Sequence, residues 1–235
     1  MDPAEYQAMY EVEDTHAWFR AKREMLLLLL KKFSRPGAKI LDVGCGTGVI
    51  ASALAKNNAV VGLDISAQAL AFARKRDASI SWIKGDAQAV KFKPNSFDVV
   101  LASDVVEHVK DDVKALENMH RVLKPGGKVI ITVPALEMLW GRDDDLVHHQ
   151  RRYTRSSLKR VLRRAGFKVD FLNYWNVLLF PAVLVYKWRN KEHSVAPVAG
   201  IMNKLAFGIL KLDTWLIRHV WMPFGVSLVV VASKK

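Results

Sequence analysis

The chain has a single cysteine, Cys45, among 235 residues. An internal disulfide is therefore excluded, which fits a reducing compartment. It also lacks any clean run of about twenty apolar residues, the length a helix needs to span a bilayer; the run Leu26 to Leu30 is far too short. Acids are in the minority, with 23 Asp and Glu against 36 Lys and Arg, a formal net charge of +13 and a pI near 9.9. That balance implies attraction to something acidic: nucleic acid, an anionic membrane or a phosphorylated substrate. Met1 to Asp14 is acidic and has no apolar centre, so no signal peptide is expected and the protein is read as cytoplasmic.

Hydrophobic residues make up 51% of the sequence and the mean hydropathy is +0.05. This is enough for one α/β domain with a proper core, and short for two. The chain is organised around Ile40-Leu41-Asp42-Val43-Gly44-Cys45-Gly46-Thr47-Gly48. It reads as a buried strand that breaks into a glycine-rich turn and opens a helix from Val49 to Lys56. Such glycines let the backbone approach a ligand closely, and the helix points free N–H groups at it.

The spacing is not the G-x-G-x-x-G of dinucleotide binders, since the third glycine falls one position early and Val49 stands where Gly or Ala is needed. Asp42, at the carboxyl end of the strand, would repel a pyrophosphate and attract a cation. The run D-x-G-x-G-x-G at 42–48 resembles motif I of the class I S-adenosylmethionine-dependent methyltransferases. Their donor carries a sulfonium and an α-ammonium and has no phosphate, and S-adenosylhomocysteine is left after transfer. The resemblance implies a Rossmann-like α/β fold, a mostly parallel seven-stranded sheet of order 3-2-1-4-5-7-6 with the last strand antiparallel.

Further positions carry the same resemblance. Val60 to Asp64 reads as a second strand ending in an acid, and Asp64 with Ile65 takes the place of the ribose contact. Ser66 caps the next helix, to Lys75. Ser81 to Lys84 is a third strand, and Asp86 with Ala87 resembles the adenine contact. Phe97 to Ser103 is the fourth strand; Ser103 to His108 should border the pocket, because ligands of open α/β sheets sit outside the carboxyl ends of the strands. In quinone-pathway O-methyltransferases a similar acid-x-x-Glu-His run binds a divalent metal, which makes Asp104, Glu107 and His108 candidate ligands. The expectation adopted is the plainer one, a helix start packed below the cofactor with no metal. A helix from Asp111 or Asp112 to Leu123, a turn at Lys124-Pro125-Gly126-Gly127 and a strand from Lys128 to Val133 complete the shared scaffold.

Residues 15–33 read as a helix capped by Asp14 or Thr15, in the place of a lid over the cofactor. Its start, His16 to Arg23, resembles a histidine–aromatic–arginine pattern of a methyltransferase subgroup from glycan and lipid pathways. On that resemblance Arg20 or Arg23 would bind the cofactor carboxylate. The loop from Asp143 to Thr154 resembles the same subgroup's D…H-x-R-R-Y-T run. Methyl transfer needs a positioned nucleophile stripped of its proton. His149, with His148 behind it, is the candidate base, Arg151 and Arg152 could hold an acidic group of the substrate, and Tyr153 completes the catalytic set. A helix capped by Thr154 and ended by Gly166 presents Arg155, Lys159, Arg160, Arg163 and Arg164 on one face.

The expected organisation is a single domain, 1–235, with a Rossmann-like core at 38–175 and 226–234. Roughly fifty residues separate the last two strands, beyond an ordinary hairpin loop. This insert, 176–224, holds an apolar stretch from Val177 to Tyr186 followed by Lys187, Trp188, Arg189 and Lys191. A second apolar segment, Ile201 to Trp221, carries Lys204, Lys211 and Arg218. Apolar segments with tryptophan and spaced cations suit a helix lying in a membrane interface; a cap over the active site and a dimer contact are the alternatives. The leading reading is methyl transfer to a small or lipid-linked, acidic acceptor at oxygen, at the inner face of a membrane. An RNA methyltransferase is the alternative raised by the charge, but residues 98–108 hold no Asn-Pro-Pro-aromatic motif, and no RNA-binding module is recognisable. A non-catalytic, membrane-docking binder of the cofactor is the third.

Overall fold

Strands that alternate apolar with polar bury one face; continuous apolar runs need cover on both. The central strands here are of the second kind. The computed structural model, which describes residues 3–189 and 200–235, pairs β1 (Lys39–Val43), β2 (Ala59–Asp64), β3 (Ser81–Lys84), β4 (Phe97–Ser103), β5 (Leu123–Pro134), β6 (Phe167–Trp175) and β7 (Ser227–Lys234) into one sheet. Its order is β3-β2-β1-β4-β5-β7-β6. β7 runs antiparallel to both neighbours and the other pairings are parallel. The sheet is the one expected from sequence.

Helices cover both faces. On one, α5 (Asp112–Val122) and α7 (Arg155–Arg164) pack Leu116, Met119, Leu158 and Leu162 onto Val100, Ala102 and Val230. On the other, α2 (Ala17–Phe33) and α9 (Gly200–His219) bury Met25, Leu26, Leu29, Leu210 and Ile217 against Ile40, Val99 and Val231. α3 (Val49–Ala55) and α4 (Ala67–Arg76) close the β3 side around Trp82.

Four local expectations are corrected. α2 is capped by His16, whose Nδ1 accepts from the Trp18 N–H, because Asp14 is drawn to Arg76 at 2.6 Å and to Arg23 at 3.2 Å. No helix starts at Asp104, which adopts φ +54° in a turn; α5 begins after Asp111, whose carboxylate accepts from the Lys114 N–H. Residues 124–127 do not end a helix in a turn but bulge within β5, where pairing steps from Phe97–Leu123 to Val99–Lys128. The face of five cations on α7 is reduced, since Arg155 donates to the Met222 carbonyl and stacks 4.4 Å from the Trp221 ring centre.

An additional helix, α1 (Pro3–Val12), precedes α2 and packs on α4, with Tyr10 against Phe72 and Arg76 over Tyr10. Tyr6, Met9 and Tyr10 have helical spacing behind a proline suited to the first turn, so its signal was present in the sequence.

The insert contains α8 (Phe180–Arg189) and α9, and Lys191 lies outside the described residues. It leaves from and returns to the carboxyl end of the sheet, where the Val226 N–H bonds to the Asn176 carbonyl. α9 is built into the core: Asn203 bonds the backbone of Thr15 and Ala17, and Arg20 stacks on Phe207 at 4.0 Å. Its outer face is also apolar, with Ile201, Leu205, Leu212 and Trp215 each more than half exposed. No described helix is long and apolar enough to cross a membrane.

The buried Asp213 carboxylate joins insert to sheet by accepting the N–H groups of Asn176, Val177 and Leu178 at 2.6, 2.9 and 3.1 Å. Asp213→Ala strands three donors, each costing about 1–3 kcal/mol. Thermal melting should show a loss of at least about 3 kcal/mol; a melting temperature within a degree of the parent would refute this role.

Candidate active site

The glycine turn sits where β1 ends between β2 and β4. Gly44 has φ +67°, and a Cβ there would lie 2.3 Å from Val105, so only glycine fits. Beside it Asp42 is 2% exposed, and its Oδ2 is buried with no hydrogen-bond partner among the described residues. Burial, then the nearby Asp64 charge, push the Asp42 carboxyl up to about 8. Asp64 is itself raised by burial, although the N–H groups of Ser66, Gly46 and Ile65 offset this. Ile65 is 65% exposed, directly after the acid. Asp86 caps a single 3₁₀ turn through the Gln88 N–H, and Ala87 is buried. Ser103 lies at the end of β4, its hydroxyl 3.0 Å from that of Thr132.

The expected lid, α2, does not touch this turn with Arg23, which pairs with Asp14. α1 and the turn after it do: Met9 lies 3.6 Å from where a Gly46 Cβ would be, and Glu13 bonds both Thr47 and Arg76. A buried, unpartnered carboxylate beside a glycine turn suits a ligand that brings positive charge and no phosphate. The residues therefore fit S-adenosylmethionine on grounds internal to the structure.

A second set of groups lies beyond β4 and β5. Asp104 accepts from Thr132 and pairs with Lys22, which sits over the Trp18 ring at 3.8 Å. Burial would raise the Asp104 carboxyl, but Lys22 and Thr132 carry it below its ordinary value. Glu107 is fully buried, with neither oxygen hydrogen-bonded among the described residues. Burial and the Asp104 charge drive its carboxyl well above the usual range.

Around it fold His108, Asp144 and His149. Asp144 is fully buried in α6 (Arg142–Leu146) and accepts from His149 Nδ1 at 2.7 Å, from the Arg152 guanidinium at 2.9 and 3.0 Å, and from the Gly141 N–H at 2.9 Å. This leaves His149 Nε2 facing Glu107 at 3.9 Å, and the His108 ring lies 4.6 Å away, centre to centre. Burial and the His149 charge lower His108 to about 4.

Two expected catalytic residues have their polar groups engaged by internal partners. The Arg152 side chain is 6% exposed and clamped to Asp144, while Tyr153 is buried and donates to Asp112 at 2.8 Å. Arg151 also pairs with Asp112. His148 is exposed, with φ +60°. Sequence reading passed over Asp144 as one of three adjacent aspartates; its distinguishing mark, burial, has no local signature.

Comparison with known proteins agrees with this geometry. Residues 41–131 match the model of a family described as a methyltransferase domain. The chain is 33% identical over 153 residues to a 2-phytyl-1,4-naphtoquinone methyltransferase of Thermosynechococcus vestitus, covering 62% of this chain and 66% of that protein. A SAM-dependent methyltransferase of Thermotoga maritima has the same fold at a TM-score of 0.64, with 20% identity over 99% of this chain and 96% of the other. Phosphoethanolamine N-methyltransferase 2 of Haemonchus contortus, solved with S-adenosylmethionine, superposes at a TM-score of 0.60 and 26% identity, over 88% of this chain and 51% of that one. The chain spans from 28% to 66% of the length of such curated relatives. Sheet order, glycine turn and these likenesses define a Rossmann-like nucleoside-cofactor domain. More narrowly, residues 41–131 form a methyltransferase domain, and the chain shares its fold with solved S-adenosylmethionine-dependent methyltransferases.

The buried Asp42 has a measurable cost. Between its unfolded pKa of about 3.9 and its folded value of about 8, the folded state holds a proton that the unfolded state has released. Ligand-free stability contributed by this group is complete below the lower value and is lost as pH rises through the higher, by at most about 1.4 kcal/mol per pH unit. Asp42→Asn should therefore melt higher than the parent at pH 8, with a gap that closes towards pH 4. A gap that is constant with pH would contradict the assignment.

Proposed function

We propose that the protein transfers the methyl group of S-adenosylmethionine to an oxygen of a small or lipid-linked, acidic acceptor, working peripherally at an anionic membrane. The observation that carries the donor half is the orphaned Asp42 Oδ2 at the glycine turn. Asp42 and the backbone of Gly44, Gly46 and Gly48 would hold the amino-acid end of the donor. Asp64 with Ile65 would receive the ribose, and Asp86 with Ala87 the adenine, while Ser103 lines the floor. The bound donor supplies an electrophilic methyl on sulfur.

The chain's own groups do the rest. An acceptor hydroxyl reacts only once its proton is removed, and positioned bases contribute about 10²–10⁴-fold. His149 is the base: Asp144 holds its Nδ1–H, which fixes the tautomer that leaves Nε2 free, and Arg152 holds Asp144. Arg152 and Tyr153 are thus positioning residues, and His148 stands as the exposed alternative base.

The membrane half rests on the outer face of α9 and on Trp221 and Phe224, exposed by 64% and 42%, with Lys204 and Lys211 exposed alongside. Apolar area flanked by cations is the pattern of an interfacial helix. The exposed Arg160, Arg163 and Arg164 of α7 would serve an RNA substrate as well, so the two polyanions must be separated by experiment.

Transfer of labelled methyl from the donor into a lipid extract tests the enzyme reading, and absence of label from every fraction would count against it. On the labelled acceptor, His149→Ala should lower kcat by about 10²-fold or more with little change in donor affinity; near-normal turnover would remove the base assignment. Sedimentation with anionic vesicles at low salt should carry the protein down, and retention on heparin without vesicle binding would favour nucleic acid.

A further inference from the structure

Glu107, His108 and His149 hold an arrangement that base catalysis by His149 does not use. Their ligand-capable atoms, one from each residue, all lie within 4.8 Å of one another. In tetrahedral zinc sites ligand atoms sit roughly 3.4 Å apart, which follows from bonds of about 2.1 Å. Small side-chain rotations close that difference. The Glu107 carboxylate is fully buried with neither oxygen hydrogen-bonded among the described residues, an arrangement that a cation relieves.

The His149 imidazole is anchored by the nitrogen that faces away from Glu107. His149 Nδ1 is held by Asp144, itself clamped by Arg152, and the His108 ring packs edge-on against that of His149. Metal-binding histidines characteristically donate their outer N–H to a carboxylate or a backbone carbonyl in this way. The two segments are tied together by the Gln150 N–H on the Glu107 carbonyl, and the His149 side chain keeps 14% exposure, which leaves an approach for an ion.

We infer that Glu107, His108 and His149 form a site for a divalent transition-metal ion of the zinc class, with one position left open. Two nitrogens and one carboxylate suit zinc or ferrous ion; magnesium and calcium prefer oxygen throughout. No metal was expected from sequence, and the set differs from the candidate one of Asp104, Glu107 and His108, because Asp104 is committed to Lys22 and Thr132 while His149 arrives from the loop after β5. His149 Nε2 serves one role at a time: it takes a proton in the metal-free protein and is a ligand in the loaded one. The open position would receive the acceptor oxygen, a consequence that rests on the methyltransferase reading; the ion site itself does not.

The test uses the full chain, stripped by chelator, titrated with zinc against a chromophoric competitor and separately with cobalt. Expected are one zinc per chain and the visible absorption of tetrahedral cobalt. Glu107→Gln and His149→Asn should each weaken zinc by at least about tenfold, and His148→Ala, a neighbouring exposed histidine, should leave it unchanged. Melting curves confirm folding, and His108→Asn replaces any variant that fails to fold. Zinc uptake by the parent no tighter than by Glu107→Gln, or an equal loss in His148→Ala, would overturn the site. Displacement of cobalt by millimolar magnesium would overturn the metal class. Donor binding measured on the same samples reports separately on the methyltransferase reading.

Discussion

Buried acidic side chains at the carboxyl end of the sheet are the constraint on which the rest of this molecule depends. In a chain of net charge +13, Asp42, Asp64, Asp104 and Glu107 gather at the ends of β1, β2 and β4. Among the described residues, Asp104 alone of the four is paired with a Lys or Arg, Lys22. A fold selected for stability would pair or remove such groups, because an uncompensated buried charge costs several kcal/mol. Asp42 and Glu107, which lack such a partner, fit compensation from outside, by the cationic cofactor proposed at Asp42 and the metal ion proposed at Glu107.

The scaffold keeps those acids in place while leaving Asp42 Oδ2 and both Glu107 oxygens without hydrogen-bond donors among the described residues. The glycine turn removes side chains from the donor end, and α1 and the turn after it cover that end with Met9 and Glu13. On the acceptor side Asp144 gathers His149, Arg152 and Gly141, and so fixes one loop against the end of β5. Asp213 does comparable work for the insert by satisfying three consecutive N–H groups after β6. Each is a buried carboxylate fully supplied with donors, in contrast to Asp42 and Glu107.

Much of this was legible in the sequence, for identifiable reasons. Continuous apolar strands ending in Asp42 and Asp64 are local signals, and the sheet order came from family resemblance. α1 was readable from Tyr6, Met9 and Tyr10 but was masked by the acids around them. The insert read correctly as helical, yet nothing local says that Asn203 would cap α2 or that Asp213 would be buried. Likewise His149 stood out in its loop, whereas Asp144, five residues away, gives no local sign of its burial and Glu107 comes from a segment some forty residues earlier. Arg152 and Tyr153 looked like substrate-binding groups because side-chain type does not reveal whether a partner is internal.

The central claim is that Asp42 is a buried acid awaiting a cation. Calorimetric titration of S-adenosylmethionine at pH 7, in buffers of different ionisation enthalpy, tests it most directly. The account predicts tight binding with release of close to one proton as Asp42 ionises against the donor, and loss of both in Asp42→Asn. Binding of equal strength by the parent and by Asp42→Asn, with the same proton release, would contradict it.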